Sequence, residues 1–295
     1  MTIERLDIVT GCKCNNNCIF CVRSDEQKQL KNRAMQEMAE DMKRYARYCK
    51  NLTLTGGETT TRKDIFELIK IAKKLGFKEI HLQTNARMLY YEEFCKRLVK
   101  EGVTSFTVSF HSQDNRLGDF LSRTNGSYSQ TIKGMQNIKK YGARLITNTV
   151  ICKQNYKSLF EITKKAIALG SDQVQMVFIR PQGQVLKDFS GMVPKMKDTI
   201  PYVRESIDYC RAKNKTALIE GIPFCLMRSY EKNIAEKYMP VTKIMVDKRF
   251  YSITKKGKTK IKHKKCKTCK LYKECTGVWT EYARKIGFGE FTPIN

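Results

Sequence analysis

The 295-residue sequence is short of acid and short of long apolar runs. Asp and Glu number 29 against 56 Lys and Arg, a formal net charge of +27. No stretch approaches the roughly 18 apolar residues that a membrane-spanning helix needs. The opening residues, MTIERLDIVTG, carry charges at Glu4, Arg5 and Asp7 and contain no apolar core for a secretory leader. These absences lead us to expect a soluble, cytoplasmic protein with no membrane partner. No internal repeat and no low-complexity linker breaks the chain, which fits one large α/β domain with an appendage or two unequal domains.

Cysteine and positive charge are what the chain has in excess. Twelve cysteines in a reducing compartment argue for metal or redox chemistry before disulfides. The positive charge admits a polyanionic partner. It is densest over residues 243–273, which carry thirteen Lys or Arg and a single acid, Asp247; a solvated hairpin accounts for such a stretch equally well.

Short apolar runs alternate with amphipathic segments through the first 180 residues. The pattern predicts strands over 5–10, 51–55, 79–84, 105–110, 144–151 and 173–179, with helices near 35–48, 63–74, 91–101, 129–141 and 156–169. Parallel strands need crossovers, so six such units predict a parallel sheet covered by helices, as an open doubly wound sheet or a curved partial barrel. Both architectures place chemistry at the carboxyl ends of the strands. The unusual residues fall there: the cysteines after strand one, then "TGGETT", "QTNAR", "SFHS", "NTVI" and "IRPQG". After about residue 214 the alternation gives way to "ALIEGIPFCLM", a basic hairpin turning at "KKGK", and "CKTCKLYKEC". We therefore expect a core over 1–213 and a smaller domain over 214–295.

Cys14, Cys18 and Cys21 form C-x3-C-x2-C on an Asn-rich loop able to wrap a ligand. Three thiolates can hold three irons of a cubane and leave the fourth without a protein sulfur. Structural zinc wants a fourth close ligand, and only Cys12 offers one, from a position whose side chain tends to diverge from that of Cys14.

This motif after a first strand, followed about 35 residues later by Gly-Gly-Glu at the end of the second, resembles the radical S-adenosylmethionine superfamily over residues 3–182. The resemblance implies a partial (β/α)6 barrel and a [4Fe-4S] cluster on Cys14, Cys18 and Cys21, with S-adenosylmethionine chelating the open iron. One electron from an external reductant of flavodoxin or ferredoxin type then yields a 5′-deoxyadenosyl radical that takes a hydrogen atom from substrate. Thr55, Gly56, Gly57 and Glu58 fit this assignment, because glycines permit close backbone approach and a carboxylate accepts hydrogen bonds from an ammonium group. Asn85 and Asn148 are expected to bind adenosine or substrate, and Ser109 sits where the family often holds the ribose. Arg123 in "LSRTNGSY" resembles the basic residue that meets the methionine carboxylate. His111 is either a proton carrier or a structural residue at a strand end.

Cys266-x2-Cys269-x5-Cys275 is spaced as a second metal site, with Cys225 the natural fourth ligand. Four thiolates close either a zinc tetrahedron or a [4Fe-4S] cubane. The spacing resembles SPASM and twitch extensions over residues 214–295, although Trp279 stands where a full SPASM domain has a further cysteine. The expectation is a small α+β, twitch-like domain with one auxiliary [4Fe-4S] cluster, zinc being the alternative. Cys49, Cys95, Cys152 and Cys210 read as small core residues.

From the family likeness the first expected function is an oxidoreductase that oxidatively modifies, or forms a bond on, a peptide or protein. With the first strand starting at residue 5, no added peptide-binding domain is expected ahead of the barrel, which weakens the peptide reading. The alternatives are radical modification of RNA or of an anionic small metabolite, and a non-catalytic iron-sulfur electron carrier.

Overall fold

Six apolar runs become parallel strands within a residue of their expected limits. They are β1 (Arg5–Val9), β2 (Asn51–Thr55), β3 (Glu79–Thr84), β4 (Ser105–Ser109), β5 (Arg144–Ile151) and β6 (Gln173–Phe178). Our computed structural model describes residues 3–22, 32–246, 249–253 and 259–295. The "KKGK" turn, with residues 247, 248 and 254 of the basic stretch, lies outside them. Helices α1 (Met35–Tyr45), α2 (Ile65–Lys74), α3 (Glu92–Glu101), α5 (Ser127–Lys140) and α6 (Leu159–Ala168) make the crossovers.

Several further elements were not expected. A short helix, α4 (Asn115–Ser122), follows β4, and the turns α7 (Gln184–Lys187) and α8 (Phe189–Met192) lead into the long helix α9 (Met196–Ala212). Strand β7 (Thr216–Glu220) then pairs in parallel with β6, and β8 (Thr242–Val246) pairs in parallel with β1 at the opposite edge. Strand β9 (Arg249–Ile253) adds antiparallel to β8. The sheet order is β7-β6-β5-β4-β3-β2-β1-β8-β9, so the main sheet continues past residue 213 at both edges. A separate antiparallel pair, β10 (Lys260–Ile261) and β11 (Val278–Trp279), precedes helix α10 (Thr280–Ile286). Tyr282 of α10 is buried edge-on to Phe178; its hydroxyl accepts the Met196 N–H at 2.7 Å and donates to Glu290 at 2.9 Å. This ties the last helix to β6 and α9.

Side chains alternate across each strand, and the two faces of the sheet differ in kind. Leu6, Ile8, Leu52, Leu54, Ile80, Leu82, Phe106, Val108, Val174 and Met176 are buried in one core with Met38, Leu68, Leu98, Met135 and Ile162 of the helices. The other face is polar. Arg5 pairs with Asp7 at 2.7 Å, Thr55 donates to Gln83 at 2.6 Å, and His81 bridges Ser105 and Thr107 at 2.7 and 2.9 Å. A closed barrel fills its interior with branched apolar side chains; this incomplete one keeps a polar inner wall around a chamber. Burying each large apolar side chain contributes about 1.5–3 kcal/mol, so the helix-covered face carries the stability. Replacing the fully buried Phe106 by Ala is expected to cost about 3–5 kcal/mol, read from the urea midpoint; a loss below about 1 kcal/mol would contradict this placement.

Candidate active site

β1 runs into an irregular loop whose backbone groups find few partners within the loop. Neighbouring elements supply them. Thr10 N–H donates to Thr55 O, Gly57 N–H to Gly11 O and Glu58 N–H to Lys13 O, each at 2.8 Å. Asn17 N–H and Ile19 N–H donate to Ser122 O and Leu121 O, both at 3.0 Å, at the end of α4. Arg62 holds both ends of the loop segment, donating to Thr10 O at 2.8 Å and Arg33 O at 3.1 Å. Arg87 donates to Asn15 O, to Asn16 Oδ1 at 2.9 Å and to Gln130 at 2.6 Å.

The glycines of "TGGETT" serve this packing. A Cβ on Gly56, whose φ is +143°, would strike Gly11 O, and one on Gly57 would strike the carbonyl oxygens of Lys13 and Cys12. Their smallness is needed by the cysteine loop itself, an approach of backbone to backbone that the sequence alone did not indicate. Glu58 is buried beneath them. Its Oε1 accepts from Thr60 N–H at 3.1 Å, Thr60 Oγ1 at 2.5 Å and Thr84 Oγ1 at 2.7 Å, whereas Oε2 accepts one bond, from Asn85 N–H at 2.6 Å. Burial raises the Glu58 pKa, and the bonds from Asn85, Thr60 and Thr84 pull it back. The Asn85 side chain donates to Asn15 Oδ1 at 2.7 Å.

The loop and the strand ends enclose a cavity of about 420 Å³. Cys14, Cys18, Cys21, Thr55, Gly56, Gly57, Glu58, Asn85, Ser109 and Asn148 all line it, with His111 and Arg180. Cys12 is buried outside it. Arg123 stands apart: it caps α4 in the left-handed conformation, φ 50°, and lines an outer surface hollow instead. The cations that sequence reasoning passed over are Arg62 and Arg87, which clamp the loop, and Arg180, which lines the cavity. Arg87 and Arg180 lie within the rim motifs "QTNAR" and "IRPQG", so their position was visible and their role was not.

His111 accepts a hydrogen bond at one ring nitrogen, which fixes where its proton sits when the ring is neutral. Val150 N–H donates to its Nδ1 at 3.1 Å, and burial lowers its pKa to about 4. The ring is therefore neutral near pH 7 and carries its proton on Nε2. The Asn148 Oδ1 is buried with no partner among the described residues. Burial is also the main cause that raises Cys14 to about 11 and Cys18 to about 12, each thiolate being further disfavoured by a neighbouring one. Such thiols lose their protons readily only when a metal binds the thiolate and the proton is released to solvent. Among the described residues no group of three His, Cys, Asp or Glu is gathered to hold a metal ion. Thiolates that each take a different corner of an iron-sulfur cube need not converge on one point, and three of them opening on one cavity with a buried carboxylate fit a cube with a free corner.

Cys225, Cys266, Cys269 and Cys275 line a second, apolar cavity with Phe224, Val278, Phe288 and Phe291. Burial pushes Cys225 up to about 11, and the other three thiols push the same way. Gly277 N–H points at Cys275 Sγ and Ile294 N–H at Cys269 Sγ, both at 3.4 Å. These four thiols are likewise not gathered round a single point, and with their peptide donors they fit the four corners of an iron-sulfur cube.

A charged cluster separates the two thiol sites. Glu220 ends β7 opposite Val177, which lines the first cavity. Burial and Glu236 push Glu220 up to about 6, against Lys260 and Arg180. Lys260 donates to Glu236 at 2.7 Å, and the Trp279 ring lies 4.4 Å from Lys260 Nζ and 5.1 Å from the Arg180 guanidinium.

Residues 8–166 match the family model described as the Radical SAM superfamily. Among curated proteins the chain is similar to a probable GTP 3′,8-cyclase of Sulfurisphaera tokodaii, 29% identical over 184 residues that cover 62% of this chain and 58% of that protein. It is also similar to a probable GTP 3′,8-cyclase of Sulfolobus acidocaldarius, 29% identical over 217 residues that cover 72% and 67%. The chain thus spans between 58% and 67% of the length of these two relatives. Among solved structures it is similar to Streptococcus suis SuiB bound to S-adenosylmethionine, with a TM-score of 0.70 and 18% identity over 96% of this chain and 74% of that one. It is similar also to anSMEcpe with bound AdoMet and a peptide, with a TM-score of 0.60 and 17% identity over 74% and 63%. At these identities the structural likeness speaks for the fold.

Trp279 is the single tryptophan, so the protein's indole fluorescence reports on the charged cluster alone. As pH falls through about 6, Glu220 takes up a proton and the emission is expected to change. Glu220→Gln should remove that step, and an unaltered titration in the variant would show that Glu220 is not its source.

Proposed function

The chain belongs to the radical SAM superfamily, and on that premise we propose that it cleaves S-adenosylmethionine reductively and takes a hydrogen atom from a small anionic substrate. When bound, a [4Fe-4S] cluster and S-adenosylmethionine supply the electron transfer and the carbon-centred radical. The protein's own residues bind, orient and exclude water. Cys14, Cys18 and Cys21 hold the cluster. Glu58 Oε2, with one donor already on it, accepts from the cofactor's ammonium group, and Asn148 and Ser109 meet nucleoside hydroxyls. His111 offers its Nε2–H. Arg180 attracts the anionic end of the substrate, while Phe20 and Val150 keep water from the reacting carbon.

Two observations favour a small molecule over the peptide expected first. A cavity of about 420 Å³ lies low in the roughly 300–1,000 Å³ range of ligand pockets, and the cofactor takes part of it. The curated relatives are also named for a reaction of GTP. RNA, the other polyanion considered, depended on the basic stretch at 243–273, which lies partly outside the described residues. We assign a second [4Fe-4S] cluster to Cys225, Cys266, Cys269 and Cys275 as a one-electron store. With four thiolates it has no corner for substrate.

The opening of the three loop thiols onto the cavity that Glu58 also lines carries this reading. Anaerobically reconstituted protein reduced with dithionite is expected to release 5′-deoxyadenosine from S-adenosylmethionine, and Cys18→Ala to abolish the release; persistence in the variant would refute the ligand assignment. Iron and sulfide at about eight each per chain are expected for two cubanes, whereas about four of each with one zinc would assign zinc to the second site.

A further inference from the structure

The first thiol loop lies directly under an outward surface. Asn17 and Ile19, on either side of Cys18, hydrogen-bond to Ser122 O and Leu121 O at the end of α4. Phe120, one residue earlier, is 57% exposed, the one exposed phenylalanine among the described residues. It lies in a hollow of about 580 Å³ with Arg116, Arg123, Asn115 and Asn125. The hollow's one acid, Asp119, is occupied by Gly126 N–H, Ser127 Oγ and Tyr128 N–H, at 2.6, 3.1 and 2.9 Å. Arg116 and Arg123 pair with no carboxylate among the described residues. An exposed aromatic flanked by arginines has the composition of an interface hot spot.

We propose that this face of α4 docks an acidic one-electron carrier protein and brings its redox centre next to Cys18. Charge decides the occupant. A second copy of a chain at +27 would set arginine against arginine, while an acidic carrier finds two guanidinium groups with no carboxylate partner among the described residues and a ring to cover. The proposal rests on the radical reading above, because only a buried cluster behind Cys18 gives an electron somewhere to go at this point.

The test compares two electron sources on the reconstituted full chain. Dithionite needs no docking surface; reduced flavodoxin, an acidic carrier, does. Arg116→Glu and Phe120→Ala are each expected to lower flavodoxin-driven release of 5′-deoxyadenosine at least tenfold and to leave the dithionite-driven rate within about twofold. Flavodoxin binding to the metal-free protein, read by biolayer interferometry, should weaken by a similar factor. Lys96→Glu, a charge reversal on α3, should change neither. The proposal is overturned if flavodoxin binds and drives both variants as it does the parent, if Lys96→Glu is equally impaired, or if the parent binds no flavodoxin or self-associates through this face. Absence of dithionite-driven release in the parent would instead count against the radical reading, and the binding measurement would still decide the docking surface.

Discussion

The backbone of residues 10–22 satisfies few of its own hydrogen bonds, and the candidate active site depends on how the rest of the fold makes good that deficit. A buried peptide group without a partner costs about 1–3 kcal/mol, so an irregular loop can be fixed only where the surroundings present matching donors and acceptors. Here the ends of β2 and α4 supply backbone groups, and Arg62 and Arg87 supply guanidinium groups. The planar, five-donor fork of arginine suits this task, since one side chain can bind several carbonyl oxygens at once. The two glycines remove the side chains that would hold the β2 turn away. Three thiols on an otherwise unstructured segment are thereby brought to one wall of one cavity.

The remaining chemistry follows from giving the sheet two different faces. Its apolar face carries the core, and its polar face, left unfilled, can receive a ligand. In the chamber and in the charged cluster beside it the same cause, burial, pushes different groups in opposite directions. It raises Glu58 and Glu220 and lowers His111, so that acids and base alike are biased toward neutrality. A cationic group brought to Glu58 would favour its charged form, which couples occupancy of the cavity to the protonation state of its wall.

What the sequence made legible was local or periodic. Strand limits, the crossover helices and the cysteine spacing could be read because each is written in contiguous residues. Partners set by the folded chain could not be read that way. Arg123 looked suited to the cavity, but its left-handed cap at the end of α4 turns it outward, and Arg180, from a different strand end, lines the cavity instead. Strands over 216–220 and 242–246 were not expected, and nothing local indicated that they extend the main sheet at opposite edges. The glycines of "TGGETT" were read as making room for a ligand, whereas the group they approach is the loop of Gly11 to Lys13. Helix α4 escaped notice because eight residues with one acidic cap, Asp114, give too short a period to register.

The central claim is that the loop behind β1 binds an iron-sulfur cube through three thiolates and leaves its fourth iron to S-adenosylmethionine. The most direct measurement is electron-nuclear double resonance on the reduced Cys266→Ala/Cys269→Ala variant, which keeps only the first site, with cofactor labelled by nitrogen-15 in the amino group and oxygen-17 in the carboxylate. The account predicts hyperfine coupling from both labels to the cluster. A paramagnetic cluster that shows no coupling to either label, or a first site that assembles no cluster at all, would contradict it.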